Sequence, residues 1–470
     1  MKKTRELIKN TIIIFFGKIS TQLLVFFLLP LYTSHLKTTD YGYVDLIISY
    51  VQLLIPIVIL ELDMGTFRFL IDSRNKTKSQ KQVISSTITL VLILSFIFFI
   101  LSIIMLKFIN IKYGIYIMLD ILVTIFSNYL LQISRGFGKN VNYSIACFIT
   151  GLTTIIFNFL FILHFKFGAI SILYSSILGN LICCIYLFFS LEVFNYISTR
   201  YIDFKKNKEI LKYSMPLIPN FFSWWVVSVS DRTIITKIMG TSFNGIYAAA
   251  TKFPSIITSL FSIFSLSWTE SASIHINDDD KNEFFSNVAN SVVNIFSCFS
   301  ALLISVIPIV FNFFIKAEYF EAYYQIPILI IGSFFNCIVL VYSAIYIAKK
   351  LTKQVALTSL FSAIINIFIN ILFIKKIGLY AASISTVIAY FSMTIYRHYD
   401  SKKYVDIRYD SKNILKSVLM ISFSIICYFI NSIIIHFTSV ILILIISIYL
   451  NRNIIMNSLN KIIKKTNFNN

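Results

Sequence analysis

The sequence predicts an all-α integral membrane protein with fourteen transmembrane helices, arranged as two six-helix lobes in parallel pseudo-repeat plus two further C-terminal helices. Three observations predict it. Hydrophobic residues make up 57% of the chain and charged residues 13%, where a soluble domain would carry about 25% charged residues. Apolar runs of roughly 20 residues, long enough to cross a bilayer at about 1.5 Å per residue, recur from end to end between short polar breaks. The basic residues crowd into alternate breaks, as loops on one side of a membrane do.

The spans are expected at about 11–34, 43–67, 83–106, 114–134, 142–163, 168–191, 213–238, 244–267, 287–314, 323–347, 354–374, 377–397, 413–434 and 437–455. Span 1 follows a basic N-terminus with no small-residue cleavage site, so it reads as a retained helix rather than a signal peptide. An even number of spans puts both termini on one side. Thirty of the 41 Lys and Arg fall on that side and eight on the other, so both termini are expected in the cytoplasm. The remaining three, Lys18, Arg232 and Lys252, lie inside predicted spans.

The pseudo-repeat is read from spans 5 and 11. Asn142, Ala146, Thr150, Thr154 and Asn158 recur at a four-residue spacing, and Gln354, Thr358, Ser362, Asn366 and Asn370 repeat that ladder 212 residues later. Each run then reaches a glycine, Gly168 or Gly378, that opens the next helix. Residues 1–191 are thus expected to form the first lobe and 213–398 the second, joined by a basic cytoplasmic linker at 192–212. Residues 399–470 would supply the two additional helices and a cytoplasmic tail. Parallel repeats of this kind belong to transporters whose halves rock about a central site.

Composition also excludes. The formal charge of +20 is distributed over loops rather than along one stripe, which speaks against a nucleic-acid partner. The six cysteines sit in apolar runs without paired spacing and the five histidines are scattered, so no metal or cofactor site is expected. No phosphate-cradling glycine loop and no nucleophile–histidine–acid arrangement occurs, so no catalytic residues are expected and the chain reads as a non-enzyme.

Polar stripes mark spans 1, 2, 7 and 8. Span 1 carries Thr11, Lys18, Thr21 and Gln22; span 2 carries Asp45, Ser49, Gln52, Pro56 and Asp63; span 8 carries Lys252, Ser255, Ser259 and Ser262. In span 7, Ser228, Asp231 and Arg232 share one helical face, with Trp224 and Trp225 one turn below. A charge inside a bilayer costs roughly 2.5–3.5 kcal/mol on insertion scales and normally faces a protein interior or a water-filled path. Lys18, Arg232 and Lys252 therefore read as a cationic route from mid-membrane outward, suited to an anionic headgroup. Asp231 is expected to position Arg232. Asp63 and Arg68, at the inner end of span 2, read as a gate or coupling site. Pro30, Pro56 and Pro254 offer bending points.

Several of these residues carry a resemblance. Gly17-Lys18-Ile-Ser-Thr-Gln22 through Leu29-Pro30-Leu-Tyr-Thr-Ser34 resembles the opening of polysaccharide (O-antigen type) flippases, within the multidrug/oligosaccharidyl-lipid/polysaccharide exporter superfamily. Met215-Pro216-Leu-Ile-Pro219-Asn220, Ser230-Asp231-Arg232, Gly245 to Pro254 and Ser267-Trp268-Thr-Glu270 fit the same family. The resemblance implies a two-lobed flippase in the bacterial inner membrane that moves an undecaprenyl-pyrophosphate-linked oligosaccharide to the outer leaflet by alternating access. Lys18, Asp231, Arg232 and Lys252 carry over from it as substrate-binding residues, Gln22 of the span 1 stripe is expected to join them, and membrane lipids, a polysaccharide polymerase and a chain-length regulator are expected as partners. A lipid II flippase of peptidoglycan synthesis is the near alternative. A multidrug or cation antiporter of the same superfamily fits less well, because span 1 carries a base and no acid. A membrane-embedded polymerase would need a large outer loop, and every outer loop here is about ten residues or shorter.

Overall fold

The computed structural model describes residues 26–452 apart from 75 and 350, with side chains at all of these except 220, 223, 224, 227, 228, 266 and 352. Its described residues form helices and no strand. Two compact units divide the chain, Met1–Ala248 and Ala249–Asn470. The first holds α1 (Leu29–His35), α2 (Thr38–Val58), α3 (Leu62–Asp72), α4 (Thr77–Phe108), α5 (Gly114–Gly136), α6 (Asn140–Phe159), α7 (Ile170–Ser190), α8 (Phe204–Ser214) and α9 (Ile218–Ile238). The division falls within α10 (Thr241–His275). The second unit continues with α11 (Lys281–Phe314), α12 (Ala322–Ala348), α13 (Thr352–Ile377), α14 (Leu379–Ser401), α15 (Ser411–Phe429) and α16 (Ile433–Leu450).

Predicted spans 3 to 14 correspond to α4 to α7 and α9 to α16. Among the described residues, twelve helices are long and apolar enough to cross a membrane. The 21-residue α9 is not one of them; it carries Asp231, Arg232 and Lys237. Residues 11–25 of predicted span 1 lie outside the described residues. Outward-facing side chains of α4 such as Phe96 and Leu101 are more than half exposed, an arrangement that water penalises and a hydrocarbon layer accepts.

Span 2 departs from its predicted continuous helix at 43–67. It is α2 followed by α3, broken at Ile59–Glu61. Glu61 N donates to Pro56 O at 2.9 Å and Leu60 N to Ile57 O at 3.3 Å, the paired closure that ends a helix with a left-handed residue. Leu60 and Glu61 both have positive φ, 52° and 54°, a conformation that costs a residue with a Cβ about 1–2 kcal/mol. The bend foreseen at Pro56 thus takes the form of a break one turn later.

The ladders of spans 5 and 11 glue helices together. On α6, Thr150 Oγ1 donates to Ala146 O at 2.8 Å, and Asn158 accepts from the Tyr32 hydroxyl at 3.1 Å. Gly179 of α7 lets that helix settle against Thr150 and Thr154. On α13, Asn366 Nδ2 donates to Ser385 and Thr386 of α14, both at 3.3 Å. Gly168 and Gly378, which close the two ladders, both adopt positive φ, 69° and 59°.

Inside the second unit, Arg397 of α14 is 1% exposed. The sequence places it with the loop bases, but it is a core residue. Its guanidinium donates to Thr358 Oγ1 of α13 at 3.0 and 2.7 Å, to Val339 O of α12 at 3.1 Å, and to Ser343 Oγ of α12. Three helices are pinned by one side chain.

Candidate functional site

The site forms where α9 and the first turns of α10 pack on α2, all within the unit Met1–Ala248. At the N-terminal end of α2, Gly42 meets Gly245 of α10 so closely that a Cβ on either would overlap the opposing backbone. Only glycine permits this approach. Two polar contacts fasten it: Asn244 Nδ2 donates to Gly42 O at 2.7 Å, and the Thr38 and Ser242 hydroxyls lie 2.7 Å apart.

One turn further along α2 comes the charge. Arg232 Nε donates to Asp45 Oδ2 at 2.7 Å, with side-chain exposures of 17% and 10%. Below it, Trp225 Nε1 donates to Ser49 O at 2.8 Å, and the Tyr50 and Thr233 hydroxyls lie 3.0 Å apart. Asp231, 4% exposed, accepts from the Tyr247 hydroxyl at 3.0 Å. Ion pairing offsets the cost of holding both charges away from water, and removing one partner from such a pair typically costs about 3–5 kcal/mol.

This geometry revises the predicted roles. Arg232 pairs directly with Asp45, and Asp231, beside it on α9, accepts from Tyr247. Arg68 pairs with Asp72 at 2.6 Å in an exposed turn of α3, not with Asp63. Asp63 begins α3 with its Oδ1 buried and without a hydrogen-bond partner among the described residues, two residues beyond the buried Glu61. Lys252 is partly buried on α10, within the second unit. Lys18 and Gln22 lie outside the described residues, as do the side chains of Trp224 and Ser228. Trp225 and Trp268 are packing residues; Trp268 Nε1 donates to Val341 O at 3.1 Å.

Among the described residues, four buried charges went unassigned in the sequence: Glu61 at the break after α2, Asp45, Asp120 and Arg397. Asp45 was visible on the span 2 stripe, but the helical period names a face and not the neighbour it meets. Asp120 of α5, 3% exposed, accepts from Ser176 of α7 at 2.7 Å; a lone acid in an apolar run was its signal. Arg397 was hidden by its place at the predicted end of a span. Among the described residues, no group of three His, Cys, Asp or Glu is arranged to hold a metal ion.

Residues 7–269, more than half of the chain, match the family model described as polysaccharide biosynthesis protein. The chain belongs to the polysaccharide biosynthesis protein family. None of the curated proteins matches it in sequence. The lipid II flippase MurJ in an inward closed conformation aligns with a TM-score of 0.71 at 18% identity, covering 95% of this chain and 100% of MurJ. An inward-facing multidrug-resistance MATE transporter of the MOP superfamily aligns at 0.70 and 15% identity, covering 85% of this chain and 94% of the other. A MATE in complex with MaD3S aligns at 0.62 and 16% identity, covering 89% and 96%. At these identities the likeness is one of fold. This polysaccharide biosynthesis protein therefore has the all-helical, membrane-spanning architecture of exporters and flippases, and its neighbours are transporters rather than enzymes.

Proposed function

We propose that this protein flips an undecaprenyl-pyrophosphate-linked oligosaccharide repeat unit from the cytoplasmic to the outer leaflet of a bacterial inner membrane, supplying a polymerase and chain-length regulator that assemble O-antigen, capsule or exopolysaccharide. The observation that carries the reading is a largely buried cation, Arg232, paired with Asp45 in a helix of a polysaccharide biosynthesis family member. The loop-charge bias supports both termini in the cytoplasm and places the Gly42–Gly245 seam on the outer side. In the two-lobed reading, 1–191 and 213–398, this seam and the Asp45–Arg232 pair clasp one lobe to the other.

The mechanism follows from competition for one guanidinium. A pyrophosphate offers Arg232 charge-assisted bonds at least as strong as those from a carboxylate. Cargo phosphate displaces Asp45, and the seam is then released toward the outside. Lys18, Gln22 and Lys252 extend the cationic route, while Asp231 holds Tyr247 at its edge. Asp63, a carboxyl with a buried unpaired oxygen, fits proton coupling at the inner break, with Arg68 and Asp72 fastening the turn below.

Charge-removing Lys18→Gln and Arg232→Gln changes in a host lacking its own flippase test the reading. Surface polymer is expected to vanish while the protein accumulates in the membrane and lipid-linked repeat units build up. Normal surface polymer in both variants would sink the assignment. A second reading, a lipid II flippase, is favoured by the coverage of MurJ along its whole length; rescue of a MurJ-depleted cell would select it.

A further inference from the structure

The short helix α8 lies between α7, which ends at Ser190, and α9, which begins at Ile218. One of its faces is committed to the protein. Asn207, Ile210 and Ser214 recur at i, i+3 and i+7 and are buried, where α8 packs on α3 and α4. Gly65 of α3 permits the approach, since a Cβ there would fall 2.7 Å from Ile210 Cγ2. Lys205, Lys208 and Lys212 repeat the same spacing two residues earlier, a rotation of about 200°. All three are exposed, on the face turned away from α3 and α4.

The acids near these lysines are occupied. Asp203 caps α8 by accepting from Lys205 N at 2.9 Å and Lys206 N at 3.3 Å. Glu209, the one acid within α8, takes Lys206 Nζ at 3.0 Å, and that ammonium also stands 4.7 Å over the Phe69 ring. Among the described residues, Lys205, Lys208 and Lys212 form no ion pair. Phe204, one turn before Lys208, is 83% exposed. The depth of this helix is set by α4, whose polar start, Thr77 to Gln82, gives way at Val83 to an apolar run. Ser85 and Ser86, in the first turn of that run, hold the chain that leads into α8. Ser85 Oγ donates to Tyr196 O at 2.8 Å and accepts from Ser198 N at 3.0 Å, and Ser86 Oγ accepts from Asp203 N at 2.8 Å. The entry to α8 thus rides where a spanning helix passes from polar to apolar, the level of lipid headgroups. An exposed phenylalanine there meets the edge of the hydrocarbon, and lysines beside it meet phosphates.

We propose that α8 docks on the anionic headgroups of the adjacent leaflet, with Lys205, Lys208 and Lys212 on lipid phosphates and Phe204 seated at the acyl boundary. Lysines with no carboxylate partner favour an anionic over a zwitterionic headgroup. Contact is made across an open helix face, so the surface selects headgroup charge and not the number or length of the chains. α8 runs into α9 through the single turn Met215–Leu217, and α9 carries Arg232, so leaflet charge bears on the helix that holds the site. The docking face itself is separate from Arg232 and from the cargo proposed for it.

Photocrosslinking of the full chain tests this. The photoreactive amino acid p-benzoylphenylalanine in place of Phe204 keeps an aromatic ring at that position and captures its neighbours. In nanodiscs of equal phosphatidylglycerol and phosphatidylcholine, mass spectrometry of the adducts is expected to show phosphatidylglycerol in at least tenfold excess. The triple change Lys205→Gln, Lys208→Gln and Lys212→Gln is expected to bring that ratio close to one, each lysine being worth up to about fivefold. Added sodium chloride screens the same lysines without any substitution, so it is expected to lower the ratio even if the triple variant fails to fold. Inorganic phosphate at matched ionic strength is expected to lower it no further than chloride does. Absence of lipid adducts, equal yields from the two lipids, a ratio unmoved by the triple variant or by salt, or a stronger loss with phosphate than with chloride would each overturn the proposal. The measurement involves no transport, so its failure is distinct from failure of the flippase reading.

Discussion

Arg232 and Arg397 are both buried arginines on membrane helices, and their surroundings could hardly differ more. Arg232 answers to a carboxylate, Asp45, on a neighbouring helix. Arg397 is ringed by hydroxyls and carbonyls of α12 and α13, all of them neutral, with the Tyr346 ring 5.8 Å away. A cation held by neutral acceptors on two neighbouring helices has no competitor that an anionic ligand could displace, and its bonds are spread too widely to exchange at once. A cation in an ion pair can trade the paired carboxylate for a phosphate. Burial alone does not mark a functional charge; the nature of the partner does.

The comparison is sharpest where it can be broken. Arg397→Leu removes several charge-assisted bonds at once, each worth about 1.5–3 kcal/mol, and is expected to abolish accumulation of folded protein. Arg397→Lys keeps the charge but lacks the planar fork, so thermal stability in detergent should fall between wild type and the leucine variant. Near-normal accumulation of Arg397→Leu would deny it a structural role.

At the Arg232 end, the first expectation concerns the seam. In a background without the six native cysteines, Thr38→Cys with Ser242→Cys is expected to cross-link under a mild oxidant, given hydroxyls 2.7 Å apart, and to arrest transport until reduced. Efficient cross-linking with undiminished surface polymer would show that the seam need not open. Next comes the pair itself. Arg232→Gln and Asp45→Asn are each expected to lower export at least tenfold while protein accumulates, and the swap Asp45→Arg with Arg232→Asp should recover accumulation but not export. Recovery of export by the swap would reduce Arg232 to a structural partner, like Arg397.

The twelve spanning helices were legible because a bilayer demands long apolar runs, and hydropathy reads those directly. The ladders on α6 and α13 were legible for a similar reason, since a four-residue period is a helical face. What escaped were relations between helices. Nothing local joins Asp45 to Arg232, 187 positions away, or tells that Gly42 will meet Gly245. The break after α2 was half legible: Pro56 announced a bend, but Leu60 and Glu61 take a left-handed conformation usually left to glycine. Arg397 was misplaced because a base at a predicted helix end looks the same whether it faces water or turns back into the bundle.

Tyr247 offers the smallest and most discriminating test. Its hydroxyl donates to Asp231 at 3.0 Å within the buried network beside Arg232. Tyr247→Phe deletes one hydrogen bond and leaves a buried carboxylate short of a donor, at a cost of about 1–3 kcal/mol. If Asp231 serves only to hold the α9–α10 turn, the loss should appear as reduced thermal stability with export per folded molecule unchanged. If it also tunes the site that meets the cargo, export should fall by a further several-fold at equal protein level, and Asp231→Asn should reproduce that fall. Measuring surface polymer against folded protein in both variants separates a network that behaves like the Arg397 staple from one that shares the exchange at Arg232.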